Sequence, residues 1–423
     1  MKIFKFGGAS IKDADGFRNV KRILDLYKNE DLILVASALG KTTNHLEQIA
    51  IDYFNKTGEA TGLLEKLRKH HFEILASLLP ENHAAFDLIN NTFVEIDWIL
   101  EDEPSASYDF VYDQIISIGE MASSKMLAAY LNETGINIHW KDARDFIRTD
   151  NTYREGKIDW SVTEKNITEK IPSLLKDNWI ITQGFIGGTT ENFTTTLGRE
   201  GSDYSAAIFA HCLNAESVTI WKDVPGVLNA DPRYFSDTKK IEELSYKEAI
   251  EMAFYGATVI HPKTMKPLQN KNIPLYVKSF LNPELSGTII RENVEQENSI
   301  PVLVLKPEQI LISVSPKDFS FMDEENLESI FNLMVTHRVH FNMMQNAAIS
   351  FSFCADNFPQ RINPFIEALS EKYKVLINDG LELLTIRHYN DFVIQQQTAN
   401  RKIFLEQKTR QTIQMVVKSE SKQ

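Results

Sequence analysis

The chain has 423 residues, 43% of them hydrophobic and 24% charged, with a formal net charge of −13. That length exceeds one ordinary core and predicts two or three domains, while the acidic balance argues against a broad nucleic-acid or anionic-membrane surface and leaves room for a local basic site for a phosphorylated small molecule. Cys212 and Cys354 lie far apart without metal spacing and read as buried thiols in a reducing compartment, and no apolar run reaches signal-peptide or membrane-spanning length, so a cytoplasmic protein is expected.

The opening KFGGAS places Lys5 at a strand end directly before Gly7 and Gly8. Paired glycines let backbone approach a phosphate, and a lysine supplies a mobile point charge. DLILVAS, from Asp31 to Ser37, is a continuous apolar run of the kind buried on both faces of a sheet. Ser37 and Thr43 follow it, and their short hydroxyls suit a small polar ligand as well as turn and cap roles. The GKT at Gly40–Thr42 is no P-loop, because the required upstream glycine is Val35. No GxGxxG dinucleotide fingerprint occurs either.

A helix-rich section spans roughly residues 44–132. Within it QIISIGEMASSKMLAAYL sets Glu120 in an apolar run, where a carboxylate needs a partner, either a cation of the protein or a ligand's ammonium. The strand-like segments NIHWKDA, WIITQGFIGG, SVTIWKDV and IPLYVKSF then alternate with helical patterns, as in a mostly parallel sheet covered on both faces. Ligands in such sheets sit at the strands' C-terminal ends.

TTTLGREGSDYSAA, Thr194 to Ala207, combines a Gly turn, Arg199, and a helix start with Ser202 expected as N-cap and Asp203 behind it. A helix N-terminus seats an anion, and an arginine beside it suits a carboxylate. IWKDVPGVLNADPR gathers Lys222, Asp223, Asp231 and Arg233 after another strand, a charge density that favours a nucleotide site. His261 precedes Pro262 without ligand spacing and reads as structural. A polar break at Arg291–Ile300 precedes the order strand, helix, two strands, helix, strand, which is the ferredoxin-like βαββαβ arrangement. The tail RKIFLEQKTRQTIQMVVKS adds one or two strands.

Taken together, KFGGAS, VASALGKTTNHL, SIGEMASSKML, QGFIGGTTENFTTTLGREGSDYSAA, WKDVPGVLNADPR and the long YGATVIHPKT block resemble the aspartate kinases of the amino-acid kinase family over nearly the whole chain. The resemblance implies an α/β, three-layer αβα amino-acid kinase fold with a mostly parallel sheet over residues 1–295. A ferredoxin-like ACT-type regulatory region over 300–423 would follow, with one full repeat and a short remnant, and ACT-type pairing implies a homo-oligomer.

It implies transfer of the ATP γ-phosphoryl, with Mg²⁺, to the β-carboxylate of L-aspartate, an early step of lysine, threonine and methionine biosynthesis. Lys5, Gly7 and Gly8 would hold ATP phosphates. Ser37, Thr43, Glu120 and Arg199 would bind aspartate, and Ser202 and Asp203 would line the reacting centre. Lys222, Asp223, Asp231 and Arg233 would line the nucleotide side. The rival readings are another amino-acid kinase, acting on glutamate or acetylglutamate, and a non-catalytic amino-acid sensor derived from the kinase.

Three departures from the family pattern stand out. Thr258 replaces a nucleotide-contacting lysine, with Lys222 or Lys263 as candidates to compensate. Glu200 stands where the pattern has glycine and is expected to bring a further negative charge near the substrates. Only 124 residues follow Ser299, and Asn342, Ala347 and Ala348 stand where lysine-inhibited members carry acidic and hydroxyl groups, so lysine feedback is expected to be weak or absent.

Overall fold

The computed structural model describes the chain except for residues 177, 258, 259, 295–299, 319 and 420–423. Thr258 and part of the break expected at Arg291–Ile300 therefore lie outside the described residues. The chain divides into two compact units: Met1–Val227 with Lys240–Ile250 and Val259–Glu297, and Leu228–Lys239 with Glu251–Thr258 and Asn298–Gln423.

The first unit opens with β1 (Lys2–Phe6), α1 (Ala14–Asp25) and β2 (Leu32–Ala36), followed by α2 (Thr42–Asn55), α3 (Ala60–Ala76), α4 (Ala85–Glu101) and α5 (Tyr108–Glu133). It continues through β3 (Ile138–Trp140), α6 (Trp160–Leu174), β4 (Trp179–Gln183), the hairpin β5 (Ile186–Gly188) and β6 (Thr194–Thr196), then α7 (Gly201–Leu213) and β7 (Ser217–Lys222). β8 (Glu243–Ser245), α8 (Tyr246–Tyr255), α9 (Pro262–Asn270), β9 (Leu275–Ser279) and β10 (Thr288–Arg291) follow, the second half of α8, from Glu251, belonging to the second unit.

Eight strands form one sheet in the order β3-β4-β2-β1-β7-β9-β10-β8. Every neighbouring pair is parallel except β9 with β10. The all-buried LILVA of β2 sits centrally, as its unbroken apolar pattern requires. Phe4, Phe6, Leu32 and Leu34 pack with α1 to α5 in one large core. Side chains alternate across a strand, so Lys5 projects to the opposite face. There α7 lies across the sheet, buried along almost its whole length.

Parallel pairing aligns the ends of the central strands. Phe6 stands beside Ala36 and Trp221, and Ala36 beside Gln183, so the turns after β1, β2, β4 and β7 leave one edge of the sheet together. Ser107 caps α5 through the Phe110 N–H, and the 26-residue helix is buried almost all round from Ile115 to Leu127. That environment surrounds Glu120.

The second unit contains β11 (Val302–Pro316), α10 (Glu324–Thr336), β12 (Phe341–Ala347), β13 (Ser350–Asp356), α11 (Pro359–Lys372), β14 (Tyr373–Arg387), α12 (Asp391–Thr398), β15 (Arg401–Lys408) and β16 (Thr412–Ser419). Its sheet runs β12-β13-β11-β14-β16-β15. The first four strands with α10 and α11 make the expected βαββαβ unit, closed around Ile312, Phe353 and Phe365. β11 and β14 are each 15 residues and pair from Val302 with Arg387 to Pro316 with Tyr373. The second half of β14, from Glu382 to Arg387, pairs on with β16, and β16 with β15, so the two tail strands continue the same sheet. α12 was not foreseen: DFVIQQQT has little apolar periodicity, and its start is set by Asn390 accepting the Val393 N–H. No helix among the described residues is long and apolar enough to cross a membrane.

Candidate active site at the strand ends

Lys5 is nearly buried, and its Nζ lies 2.7 Å from Oδ1 of Asp203 in the first turn of α7. Strand parity aims the lysine, and the helix crossing the sheet supplies the carboxylate. Gly7 and Gly8 follow at the strand end. A Cβ on Gly8 would lie 2.6 Å from the Ala38 carbonyl oxygen, so only glycine allows the turns after β1 and β2 to touch there. The Gly40 N–H donates to the Gly8 carbonyl at 3.1 Å and joins the two turns.

Ser37 and Thr43 bracket the second turn. The Ser37 N–H donates to Phe6, and the Ser37 carbonyl accepts the Ser123 hydroxyl at 2.6 Å. Thr43 lies in the first turn of α2, half-buried. Glu120 reaches this turn from α5. Its Oε1 accepts the Ala38 N–H at 3.4 Å, and its buried Oε2 has no hydrogen-bond partner among the described residues. Burial pushes the Glu120 carboxyl up to about 8, opposed by the Ala38 N–H and the Lys5 charge. A carboxyl with a free oxygen at such a place is suited to receive a cation.

The β6–α7 turn carries the remaining substrate-side candidates. Asp113, one face of α5 and two turns from Glu120, accepts the Thr196 N–H at 2.9 Å and its hydroxyl at 2.7 Å. Gly198 then takes φ 74° and Glu200 φ 52°, and the helix starts at Gly201. Ser202 is therefore not the N-cap that its sequence position suggested: Glu200 occupies that place in left-handed conformation with no side-chain cap, because the sharp exit from β6 uses up the residues before Gly201. Ser202 lies inside the first turn, buried against Gly184 after β4, where a Cβ would come within 2.5 Å of the serine's own. Arg199 is exposed and makes no hydrogen bond or ion pair with any described residue.

Glu200 is tied to the start of α9. Its Oε2 accepts the His261 N–H at 2.8 Å. His261 is the N-cap of α9, a structural role as its spacing implied. Lys263 is also engaged, its Nζ donating to the Leu197 carbonyl at 2.9 Å and standing 4.9 Å over the Tyr204 ring.

On the other flank Lys222 ends β7, half-buried, and Asp223 follows it, exposed. Asp231 and Arg233 belong to the second unit and bind each other, Nε of Arg233 lying 3.1 and 3.0 Å from the two Asp231 oxygens. Cys212 and Cys354 are buried free thiols, and burial pushes both up to about 12, away from reactivity.

Gly7, Gly8, Ser37, Thr43, Arg199, Ser202 and Asp203 thus belong to turns and helix starts, which Lys5 meets from within β1, through Asp203, and Glu120 from the middle of α5, through Ala38. The sequence reading missed Ser123, Gly184 and Asp113, which hold these turns from behind. Ser123 had a signal, being one helical turn from Glu120; the other two are meaningful only once β4, α5 and α7 are packed.

Residues 1–279 match the model of the amino acid kinase family. Over 391 residues the chain is 29% identical to lysine-sensitive aspartokinase 3 of Escherichia coli (strain K12), spanning 91% of this chain and 86% of that one. The solved structure of E. coli aspartokinase III in complex with aspartate and ADP, in the R-state, superposes with a TM-score of 0.82 at 26% identity, over 99% of this chain and 96% of that chain. The T-state structure of the same protein with lysine and aspartate gives 0.84 at 27% identity with the same coverage.

Proposed function

The chain belongs to the amino acid kinase family, and from that premise we propose that it is an aspartate kinase whose substrates meet at the sheet edge bearing Lys5, Glu120 and Asp203. The observation that carries the reading is Glu120: a buried carboxyl beside the turn after β2, with one oxygen unpartnered among the described residues. The aspartate and ADP bound by the E. coli relative name an ammonium-bearing ligand and its co-substrate.

Glu120 would receive the α-ammonium of aspartate, and Arg199 its α-carboxylate by two parallel N–H bonds. Ser37 and Thr43 add hydroxyls for the same ligand. The β-carboxylate is then left facing the first turn of α7. One of its oxygens attacks the γ-phosphorus of ATP, the bond from that phosphorus to the β–γ bridging oxygen breaks, and ADP leaves with the electron pair. The nucleophile is ionised at neutral pH, so no proton has to move.

Rate enhancement therefore rests on alignment and on countering charge over the transferring phosphoryl. Lys5 is the cation placed to do so, and Asp203 holds its Nζ in position before the nucleotide arrives. The turn at Gly7 and Gly8 and the first-turn N–H groups of α7 offer backbone donors to phosphate oxygens. Lys222 borders the nucleotide side.

ATP enters such reactions as a Mg²⁺ complex. Among the described residues no three His, Cys, Asp or Glu side chains converge into a cage. That fits this cation, which keeps water and phosphate oxygens and needs only one or two carboxylates; Asp203 and Asp223 are the ones available. Bound with the nucleotide, the ion neutralises negative charge on its phosphate oxygens.

The test is ATP turnover by the purified protein with Mg²⁺ and L-aspartate, trapping the acyl phosphate with hydroxylamine beside glutamate and no-acceptor controls. Aspartate-dependent hydroxamate is expected. Aspartate binding in calorimetry without product would overturn the catalytic reading and leave a sensor.

A further inference from the structure

Arg199 has no side-chain partner among the described residues, so what places it among them acts through its backbone. The turn that carries it is tied on both sides to the start of α9. Upstream, Lys263 donates to the Leu197 carbonyl at 2.9 Å and packs over Tyr204. Downstream, Glu200 Oε2 accepts the His261 N–H at 2.8 Å. The His261 ring closes the set by accepting the Lys263 N–H at 3.2 Å.

Two features mark this as more than a surface contact. Glu200 sits at φ 52° and ψ 29°, where residues other than glycine are uncommon, so the backbone alone gives no reason for glutamate there. Its side chain supplies the reason: a carboxylate oxygen takes the N–H of the residue that caps α9. The carboxylate makes no ion pair with the neighbouring Arg199 guanidinium among the described residues.

We propose that Glu200 and Lys263 are positioning residues that clamp the Leu197–Glu200 turn to the start of α9 and thereby hold Arg199 ready for the carboxylate of the amino-acid substrate. The inference rests on the reading of Arg199 as the carboxylate ligand. A guanidinium that must meet a carboxylate with two bonds loses affinity in proportion to the time its turn spends elsewhere. The clamp removes that freedom before the ligand binds.

The experiment compares E200A, E200Q, E200G and K263M with the parent, and repeats E200A in an R199A background, reading steady-state kinetics and calorimetric aspartate binding. E200A should raise the aspartate KM and Kd about tenfold, with kcat and the KM for ATP within about twofold. E200Q keeps an oxygen for the His261 N–H and should stay within about threefold of the parent. E200G relieves the left-handed backbone but loses the tether, so it should behave like E200A. K263M should move aspartate affinity in the same direction, which gives an independent reading should E200A melt early.

In the R199A background, E200A should cost less than about twofold more, since a residue acting through Arg199 has nothing left to place. Parental aspartate affinity in E200A and K263M would overturn the clamp. So would fully multiplicative losses in the double variant, or a loss confined to kcat. A parent that neither binds nor phosphorylates aspartate would instead overturn the functional reading, and the clamp with it.

Discussion

Replacing Glu120 by glutamine tests the electrostatics of the site without a ligand. The carboxyl rises from 4.5 in the unfolded chain to about 8 in the folded one because burial penalises its charge. Between those values the unfolded state is ionised while the folded state holds its proton, so the folded state binds more protons and stability falls as pH rises. At about 1.4 kcal/mol per unit, the full span removes at most about 5 kcal/mol by pH 8, and nothing below 4.5. Glutamine has no such dependence.

E120Q should therefore match the parent near pH 5 and become the more stable protein toward pH 8. At about 2–4 °C per kcal/mol, the roughly 3.5 kcal/mol that accrues between pH 5 and pH 8 should open a melting-temperature gap of roughly 7–14 °C. Differential scanning calorimetry at matched ionic strength reads it directly. Aspartate binding supplies a second reading. An ammonium beside Glu120 favours the carboxylate, so binding below pH 8 releases a proton and the measured heat should depend on the buffer's ionisation enthalpy. E120Q should abolish that dependence and weaken binding. Parallel melting curves for parent and variant, or buffer-independent heats in the parent, would refute the assignment.

Lys5→Ala removes the partner of the buried Asp203 carboxylate as well as the phosphate cation. It should cost about 3–5 kcal/mol in denaturant unfolding and cut kcat by about 10²–10³, while calorimetry still finds aspartate bound. Gly8→Ala forces a Cβ to 2.6 Å from the Ala38 oxygen and should lower stability by about 1–3 kcal/mol. Gly7→Ala, whose Cβ would meet only Lys5 Nζ at 3.4 Å, should melt like the parent yet lose activity. Millimolar lysine should leave activity at subsaturating aspartate unchanged, because Asn342 is neutral and its amide is committed to Gln309 and Asp356 at 2.9 Å each; inhibition would show a lysine site that these bonds do not preclude.

The local sequence determined a great deal. Apolar runs such as LILVA, short charged turns and glycines at strand ends were enough to place a mostly parallel sheet and to mark Lys5, Ser37, Thr43, Arg199 and Asp203 as candidates near the ends of its strands. They suffice because strand parity and parallel register are local rules that deliver the C-termini of the central parallel strands to the same side. The βαββαβ order of the second unit was legible for the same reason, through its period of two against three to four.

Partners far apart in sequence were decided only by the tertiary structure. The pairing of Lys5 with Asp203 joins residues 198 positions apart, and nothing near either predicts it. Glu120 read as a carboxylate in an apolar helix that needed a partner, a cation of the protein or a ligand's ammonium. That one oxygen meets Ala38 while the other stays unpartnered depends on how α5 lies against the turn after β2. Glu200 looked like a further charge near the substrates; that its carboxylate takes the His261 N–H, 61 positions away, could not be read from the turn alone. Side-chain direction at a turn follows from φ and ψ imposed by the elements on either side, and those are fixed by packing of the whole unit rather than by residue type.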